Sequence, residues 1–408
     1  MSSAVAVLGP RVKTWEFPQS NASQSYASHG FFRYFGKLPP VVTGKIIDYA
    51  GPTGPVLDIM CGSGTTLVEC CLRGVPSVGI DVNPLSILVS QVKTTSFDLD
   101  ELQRLARTVL NDVDGRISDL PTIGTPKRKS SDQLSFALES PRNNGSGHKL
   151  QVPNIRNMDY WFEPEIQQQL AAVSSVLDAI PKTTEKDFFT VAFLSLIRRV
   201  SNASPRIGRI FHRGAYDGPG VATVLKDRVS EMIVGAQEFA RTARLHSPDC
   251  LIADGRKTPL VEESFNLVLC HPPYFALYKY SSDVLRFELD WGGFARKPIA
   301  DLEIVDGFKT TERSTFEDHI RDMAEIMRES HRLLRKGGLL CIVTSNSTLR
   351  EERLPVVEQI IERGCSPRIG FSVHEVFKRE VKFAQASYHR SARADKLTAE
   401  DFVVFFKK

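Results

Sequence analysis

The sequence predicts an α/β protein in which a mostly parallel sheet is assembled from two separated blocks with a mainly helical insertion between them. Short apolar segments alternate with helical patterns from residue 41 to residue 92 and again after Cys250, which is typical of parallel strands joined by helical crossovers. Residues 93–245, between the blocks, show helical patterns and loop composition instead. The 408-residue length suits two or three structural units.

The first block, 29–92, contains two helices and two strands. We predict helices over Val41–Tyr49 and Thr65–Arg73, and strands over Pro55–Asp58 and Ser77–Ile80. Residues 1–28 precede this block and are rich in Ser, Ala and Asn. We therefore expect a loosely ordered N-terminus.

The insertion, 93–245, contains a predicted helix at Leu99–Val113 and further helices at about 163–180, 185–200 and 221–245. Residues 121–154 are rich in Pro, Gly, Ser, Asn and basic residues. That composition predicts an exposed loop or a poorly ordered segment.

The second block, 246–408, supplies further strands and helices. The predicted elements are strands at Leu251–Ala253, Phe265–Leu269, Leu339–Thr344 and Phe402–Phe406, an amphipathic helix at 316–335 ended by Lys336-Gly337-Gly338, and a helix at Pro355–Arg363. Because the first block has only two convincing strands, we expect both blocks to share one sheet.

Composition excludes several classes of protein. Hydrophobic residues make up 42% of the chain and charged residues 25%, which is ordinary for a globular protein and excludes a largely disordered one. No apolar run suits a transmembrane helix, and the short apolar N-terminus lacks a basic leader, so we expect a cytoplasmic protein. Seven scattered cysteines without a CxxC pair predict reduced, buried thiols and no metal site.

The strongest local signal is the segment Asp58–Thr66, which follows a strand, contains Gly62 and Gly64, and opens a helix. Such a loop lets the backbone approach a ligand, and a strand-end carboxylate can hold an ammonium group. The next strand ends at Asp81, where an acid typically binds ribose hydroxyls. A ligand with an amino acid, a ribose and an adenine is S-adenosylmethionine.

Other interpretations of this loop fit less well. A dinucleotide site would need a third glycine, a Walker loop would need a following Gly-Lys, and the remaining alternative is a glycine turn that binds nothing. Asp254, in Ala253-Asp254-Gly255, follows the third strand, where it could accept a hydrogen bond from an adenine amino group. An Asp-Gly pair on its own is more often a simple turn.

A second motif, Cys270-His271-Pro272-Pro273-Tyr274-Phe275, ends an apolar strand. The prolines leave carbonyl groups free to point into a cleft, and the aromatic residue offers a stacking face. These features suit a planar base that carries an amino group. Without the glycine motif upstream, a structural turn would be the better interpretation.

Together, the two motifs resemble those of the amino-group DNA methyltransferases, which modify adenine-N6 or cytosine-N4. Arg33–Pro40 resembles the segment that closes over the methionine end of the cofactor, and Leu333–Leu340 resembles the helix-to-strand passage after the catalytic strand. The resemblance covers roughly half of the chain. It implies a Rossmann-like methyltransferase sheet, mostly parallel with one antiparallel strand. It makes 29–92 and 246–408 the catalytic domain and 93–245 an inserted target-recognition lobe.

The resemblance also implies roles for individual residues. His271 and the Pro272 carbonyl would accept hydrogen bonds from the target amine, and Tyr274 would stack on a flipped base, with Pro273 completing the catalytic set. The expected cofactor-binding residues are Tyr34, Lys37, Asp58, Met60, Cys61, Gly62, Gly64, Thr65, Thr66, Asp81, Val82, Asp254 and Gly255. No covalent cysteine intermediate and no metal are needed, because in-line positioning would carry the catalysis.

This chain departs from the family pattern at two points. His271 stands where the family usually has Asp, Asn or Ser, and Ile59-Met60 replaces the usual Pro-Phe after Asp58. The continuation from Tyr274 to Tyr280 and the segment Asp159–Phe162 resemble the cytosine-N4 members, which favours cytosine-N4 over adenine-N6.

The net charge of only +4 identifies no partner, but basic residues are concentrated within the insertion. The cluster comprises Arg198, Arg199, Arg206, Arg209, Arg213, Lys226 and Arg228, with Lys127-Arg128-Lys129 in the predicted loop. We expect nucleic-acid contacts from Arg198, Arg199, Arg206, Arg209 and Arg213, and from Tyr278, Lys279 and Tyr280 beside the tetrapeptide. Solvated helix faces are the alternative interpretation.

These features predict a site-specific DNA methyltransferase that acts on double-stranded DNA, associates with the nucleoid and has a cognate restriction endonuclease as a candidate partner. Two other functions stay open at this stage. An RNA-base or protein-amide methyltransferase would use a similar Pro-Pro-Tyr motif. An inactive nucleic-acid-binding relative would explain why the tetrapeptide begins with His271.

Overall fold

The computed structural model describes residues 12–17, 25–121, 151–205, 208–245, 247–275, 279–304, 313–349, 352–381 and 399–408. Most of the predicted loosely ordered N-terminus and most of the 121–154 stretch lie outside the described residues. So do these candidate contacts: Lys127, Arg128, Lys129, Arg206 and Tyr278.

One eight-stranded sheet carries the fold, beside a separate two-stranded hairpin. The strands are β1 Val12–Trp15, β2 Val56–Asp58, β3 Ser77–Asp81, β4 Asp249–Ile252, β5 Phe265–Cys270, β6 Leu334–Thr344, β7 Ser347–Leu349, β8 Glu352–Leu354, β9 Ser372–Val381 and β10 Ala399–Lys407. Strands β7 and β8 form the hairpin. Both predicted blocks contribute strands to the large sheet.

The sheet order is β1-β9-β10-β6-β5-β2-β3-β4. Strand β10 is antiparallel to both of its neighbours, and the other pairings in this sheet are parallel. The predicted fold class, a mostly parallel Rossmann-like sheet with one antiparallel strand, is therefore confirmed.

Twelve α-helices surround the sheet and form the insertion in the described part of the chain. They are α1 Pro40–Ala50, α2 Thr65–Arg73, α3 Pro84–Thr94, α4 Leu99–Ser118, α5 Met158–Trp161, α6 Pro164–Asp178, α7 Thr184–Leu196, α8 Val221–Thr242, α9 Arg286–Trp291, α10 Arg296–Leu302, α11 Arg313–Leu333 and α12 Val356–Gly364. A 3-10 turn at Ala27–Gly30 and a π-helical turn at Tyr280–Val284 complete the set.

The central strands are buried on both faces, which explains why their sequences are continuous apolar runs. All three residues of β2 are buried. On one face, Ile46 and Ile47 of α1 pack in the same apolar cluster as Leu267 of β5. On the other face, Ile326 of α11 and Ile360 of α12 share a cluster with Leu57 of β2 and Val268 of β5.

The helices of the insertion form one large apolar cluster with residues from both sides of it. Leu170 of α6 and Phe188 of α7 are buried in this cluster together with Phe32, which lies between β1 and β2, and Phe287 of α9. The insertion thus packs directly against the segment before β2 and the segment after the tetrapeptide, which places it beside the carboxyl ends of the strands.

The structure differs from the predicted elements where backbone pairing overrides local sequence signals. Strand β6 begins at Leu334 directly after α11, so Gly337 and Gly338 lie within the strand and do not end the helix. The reason is pairing with the C-terminus, because Gly337 N donates to Lys408 O and Lys408 N donates to Gly338 O, each at 3.1 Å.

Two further details were not predicted. Strands β1 and β9 pair at the edge of the sheet, where charged residues interrupt the apolar pattern. Of the seven cysteines, Cys365 is exposed and Cys250 is partly exposed, so not all of the thiols are buried.

None of the helices in the described ranges combines the length and the apolar content needed to cross a lipid bilayer.

Candidate active site

A cleft of about 920 Å³, including the part open to solvent, lies at the carboxyl ends of β2, β3, β4 and β5. Ligands of open α/β sheets bind at this edge. Every predicted cofactor residue except Gly64 lines the cleft, and so do His271, Pro273 and Tyr280. The fold therefore brings both sequence motifs to one opening, although they are far apart in the chain.

The glycine loop connects β2 to α2, and two of its glycines have left-handed backbone conformation. Gly62 has φ +49° and Gly64 has φ +74°, conformations that glycine adopts at little cost. A β-carbon at Gly64 would lie only 2.7 Å from Ser90 Oγ and 3.0 Å from Ser90 Cα. Gly64 is thus needed for the close approach of the loop to α3, which explains why it does not line the cleft.

Two carboxylates, the buried Asp58 and the half-buried Asp81, face the cleft from neighbouring strands. Asp58, at the end of β2, accepts a hydrogen bond from Met60 N at 3.2 Å and another from the Thr66 side chain. Asp81, at the end of β3, accepts from Gly62 N at 2.9 Å and from Asn83 N at 2.8 Å. Burial raises the pKa of each carboxyl to about 6. A cationic ligand group would favour the ionised form that burial disfavours.

The segment before α1 forms one wall of the cleft. The Tyr34 ring stacks on Tyr280 with centroids 5.5 Å apart, and the Tyr34 hydroxyl lies 3.2 Å from Ser86 Oγ. Lys37 donates to the His29 carbonyl at 3.2 Å, and burial lowers the pKa of Lys37 to about 8. These contacts attach the predicted closing segment to α3 and to the residues after the tetrapeptide.

The tetrapeptide begins directly after β5. His271 and Pro273 line the cleft, whereas Pro272 is buried and the half-buried Tyr274 is not part of its lining. His271 Nε2 lies 3.3 Å from the Tyr274 hydroxyl, and that hydroxyl also hydrogen-bonds to the Asp401 carboxylate. Burial lowers the pKa of His271 to about 4, so the imidazole is neutral at physiological pH.

Asp254 follows β4 and lines the cleft beside Gly255. Its carboxylate is already paired, because Arg256 donates to Oδ1 at 3.0 Å and to Oδ2 at 2.8 Å. Arg256 also reaches Asp322 of α11 at 3.1 Å. An adenine amino group at Asp254 would therefore compete with a guanidinium for the same oxygens.

The candidate nucleic-acid residues divide into buried and accessible ones. Arg198 is only 5% exposed, and its guanidinium donates to the carbonyls of Ser204, Gly208 and Arg209 at 2.7–3.1 Å. It holds the loop after α7 together and has no surface to offer to a nucleic acid. Arg228 is likewise buried.

The other described candidates are more accessible. Arg199 and Arg213 are exposed, whereas Arg209, Lys279 and Tyr280 are half-buried. Tyr280 also lines the cleft, where it stacks on Tyr34. Arg199 and Arg213 are therefore the basic residues of this set that are best placed to meet a partner.

Some residues of the site carry no sequence signal. Lys93 of α3 is fully buried and donates to the Ser63 carbonyl of the glycine loop at 2.9 Å. Asp401 of β10 reaches the tetrapeptide from the far end of the sequence. Only Asn83 had a visible signal, because an Asn-Pro pair is typical of a helix start, and its side chain accepts from Leu85 N at 3.0 Å.

No protein-family model matches the chain. The chain is similar to the type II methyltransferase M.MvaI of Kocuria varians, with 23% identity over 269 residues, which are 62% of this chain and 54% of that protein. It is also similar to the type II methyltransferase M.MjaII of Methanocaldococcus jannaschii, with 34% identity over 84 residues, 20% of this chain and 16% of that protein. The chain thus spans about half the length of the first relative and about a sixth of the second.

Solved structures of methyltransferases also align with the chain. TrmN from Thermus thermophilus is 12% identical over 91% of this chain and 49% of that protein, with a TM-score of 0.34. A SAM-dependent methyltransferase from Methanosarcina mazei is 10% identical over 87% of this chain and 92% of that protein, with a TM-score of 0.29. The fold assignment rests on the strand order of this chain. The similarity to the two type II methyltransferases agrees with the family resemblance of the motifs to S-adenosylmethionine-dependent DNA methyltransferases.

Proposed function

We propose that this chain transfers a methyl group from S-adenosylmethionine to the exocyclic amino group of a DNA base. One observation carries the proposal: residues of the glycine loop, the carboxylates of Asp58 and Asp81, and His271 and Pro273 of the tetrapeptide line a single cleft. A cofactor bound at the first two would lie next to a base held at the third.

The chemistry of the cleft fits the cofactor group by group. Asp58 would hold the ammonium of the methionine part, because a buried carboxylate favours an opposite charge beside it. Asp81 would bind the ribose hydroxyls with the lone pairs that its two backbone donors leave free. When bound, S-adenosylmethionine supplies an electrophilic methyl group. The tyrosine pair Tyr34 and Tyr280 would exclude water from one side.

The tetrapeptide would hold the target amino group. The neutral His271 ring has one acceptor nitrogen, and the Pro272 carbonyl supplies a second acceptor. Two acceptors on the two N–H bonds would fix the direction of the amine lone pair toward the methyl group, which is the positioning that an in-line transfer needs. The Tyr274 ring would stack on a base flipped out of the duplex.

We propose cytosine-N4 as the target in preference to adenine-N6. The support is the resemblance of Tyr274–Tyr280 and Asp159–Phe162 to the cytosine-N4 members. The helices of 93–245 would form the target-recognition lobe, with the exposed Arg199 and Arg213 contacting phosphates. A cognate restriction endonuclease would cleave the same sequence when it is unmethylated.

Methyl transfer from labelled cofactor tests the proposal. The full chain would be incubated with methyl-labelled S-adenosylmethionine and, separately, with mixed-sequence duplex DNA, RNA and a protein extract. We expect label in the DNA alone, and digestion followed by mass analysis should identify N4-methylcytosine. Label in RNA or protein alone would support the alternative substrates, and cofactor binding without any transfer would support an inactive relative.

A matched pair of variants serves as a control. D58A removes the proposed ammonium ligand and should abolish cofactor binding. D48A removes a carboxylate that pairs with Arg73 outside the cleft, at 2.7 Å with 63% of its side chain exposed, and should leave transfer unchanged.

A further inference from the structure

The first residue of the tetrapeptide belongs to a chain of polar contacts that ends on the antiparallel strand. The Tyr274 hydroxyl contacts His271 Nε2 at 3.3 Å and hydrogen-bonds to Asp401. Asp401 in turn forms an ion pair with Arg379 of β9, which lies directly opposite it in the sheet. Asp401 is 5% exposed, so this carboxylate is held in place by the sheet.

The donors and acceptors in this chain fix its direction. A carboxylate paired with a guanidinium can only accept, so the single hydroxyl proton of Tyr274 is donated to Asp401. The tyrosine oxygen then acts as an acceptor toward His271, which requires the proton of the neutral imidazole to be on Nε2. Nδ1 is left as the only acceptor of the ring.

We propose that Asp401 is a positioning residue that, through the Tyr274 hydroxyl, holds His271 as the Nε2–H tautomer, so that Nδ1 accepts a hydrogen bond from the target amino group. The inference rests on the proposed function for the identity of that amino group. It explains how a histidine can stand where the family has a residue with a built-in oxygen acceptor: a neutral imidazole accepts on the required side only if its tautomer is fixed.

The same contacts orient the stacking face. The Tyr274 ring is held at one end by its bond to the backbone and at the other by the contacts of its hydroxyl with His271 and Asp401. It meets the His271 ring edge to face, with centroids 5.4 Å apart and an interplanar angle of 77°. Loss of Asp401 would free the hydroxyl to donate to His271 Nε2 instead. That reversal would place the ring proton on Nδ1, where it would repel an amine N–H.

The tautomer can be measured directly by nitrogen NMR of the full chain labelled with ¹⁵N-histidine, with H271Q used to assign the signals. We expect the wild-type His271 to be protonated on Nε2, and Y274F, which leaves the Asp401–Arg379 ion pair intact, to populate both tautomers. Protonation on Nδ1 in the wild type, or an unchanged tautomer in Y274F, would overturn the proposal. This measurement needs no turnover, so it stands even if no DNA substrate is found.

Kinetics provide the second test. We expect D401N to lower kcat roughly 10- to 100-fold, the range seen when partners that orient histidine ligands are removed, with KM for the cofactor changed by less than about twofold. In the Y274F background, D401N should add less than about a threefold loss, because Asp401 acts only through that hydroxyl. An equal loss in both backgrounds would mean that Asp401 acts in another way, and the proposal would be wrong.

The neighbouring residue offers a matched control. Glu400 precedes Asp401 on β10, points to the opposite face of the sheet, and pairs with Lys378 of β9 at 2.5 Å. E400Q also breaks an ion pair between the same two strands, and it should leave both kcat and the His271 tautomer unchanged. If D401N does not fold, the tautomer of Y274F decides the question alone.

Discussion

The backbone amide of Gly62 donates a 2.9 Å hydrogen bond to the carboxylate of Asp81, which ties the glycine loop after β2 to the end of β3. The other oxygen of the same carboxylate accepts from Asn83 N at 2.8 Å. Asp81 therefore stabilises the conformation of the glycine loop, which lines the same cleft. It is also a candidate ligand for the ribose.

The first prediction follows from this double role. D81A should weaken S-adenosylmethionine binding at least about tenfold, because two backbone donors lose their acceptor and the loop loses its geometry. Isothermal titration calorimetry measures the affinity.

Asp98 is the control for this prediction, because it also accepts from two backbone amides, those of Asp100 and Glu101, at 3.0 and 3.1 Å. Asp98 caps the N-terminus of α4 and does not line the cleft. D98A should cost about 1 kcal/mol of stability as a lost helix cap with unchanged cofactor affinity. Equal affinities of D81A and the wild-type protein would contradict the role of Asp81.

The second prediction separates backbone conformation from close packing in two glycines. Gly51 and Gly64 both have left-handed backbone, with φ +50° and +74°, but a β-carbon at Gly51 meets nothing within 4 Å, whereas one at Gly64 meets Ser90 at 2.7 Å. G51A should cost about 1–2 kcal/mol of unfolding free energy from its backbone conformation. G64A should cost a further 1–3 kcal/mol or so from the clash.

Urea denaturation of both variants measures the difference. G64A should in addition weaken cofactor binding, because relief of the clash must move the loop away from α3. The same loss of stability in both variants would show that the contact with Ser90 is easily accommodated.

Local signals predicted that the residues from Asp58 to Thr66 and Asp81 meet at one edge of the sheet, and the structure places them around one cleft. The loop from Asp58 to Thr66 and the acid at Asp81 each follow a strand that is visible as an apolar run, and parallel strands bring their carboxyl ends to one edge. The tetrapeptide could be placed for the same reason. The helix from Thr65 to Arg73 was predicted to the residue, since glycines stand at both of its ends.

Long-range pairing could not be predicted from the sequence. Asp401 reaches Tyr274 only because β10 runs antiparallel between β9 and β6, and no local pattern records that neighbourhood. Burial of individual charges was equally invisible. Arg198 and Arg213 both carry a guanidinium and lie in the same basic cluster. The side chain of Arg198 is nevertheless buried, whereas that of Arg213 is exposed.

The third prediction concerns pH. The pKa of Asp58 and that of Asp81 are raised to about 6 by burial, above the ordinary value of 3.8, so the folded state binds more protons than the unfolded state between these pH values. These two groups therefore make the unliganded protein less stable as pH rises from about 4 to 6. An ammonium ligand needs the ionised form of Asp58, so cofactor affinity should rise with pH up to about 6 and then level off.

Calorimetry at pH 5, 6 and 7 in buffers of different ionisation enthalpy checks this, and proton release on binding should be seen at pH 6. The control ligand is 5′-methylthioadenosine, which lacks the amino acid ammonium and should show a weaker pH dependence. An affinity for S-adenosylmethionine that is flat from pH 5 to pH 7 would contradict the assignment of Asp58.

The fourth prediction distinguishes the two arginines. R198A removes hydrogen bonds to several backbone carbonyls, including that of Val284 at 3.3 Å, and it leaves those acceptors buried without a partner. It should lower the unfolding free energy by about 3 kcal/mol. R213A removes an exposed side chain that lies over the Tyr216 ring at 5.6 Å, and it should change stability by less than about 0.5 kcal/mol.

DNA binding should show the reverse ranking once stability is taken into account. Fluorescence anisotropy with a labelled duplex at several salt concentrations gives the slope of log affinity against log salt, and R213A should reduce that slope by about 1 if the guanidinium contacts a phosphate. R198A, measured at a temperature where it stays folded, should keep the wild-type slope. The Arg198 guanidinium is buried and hydrogen-bonded to the loop after α7, so it is not available to a phosphate. A lower slope in R198A and an unchanged one in R213A would place the DNA on a different face of the protein.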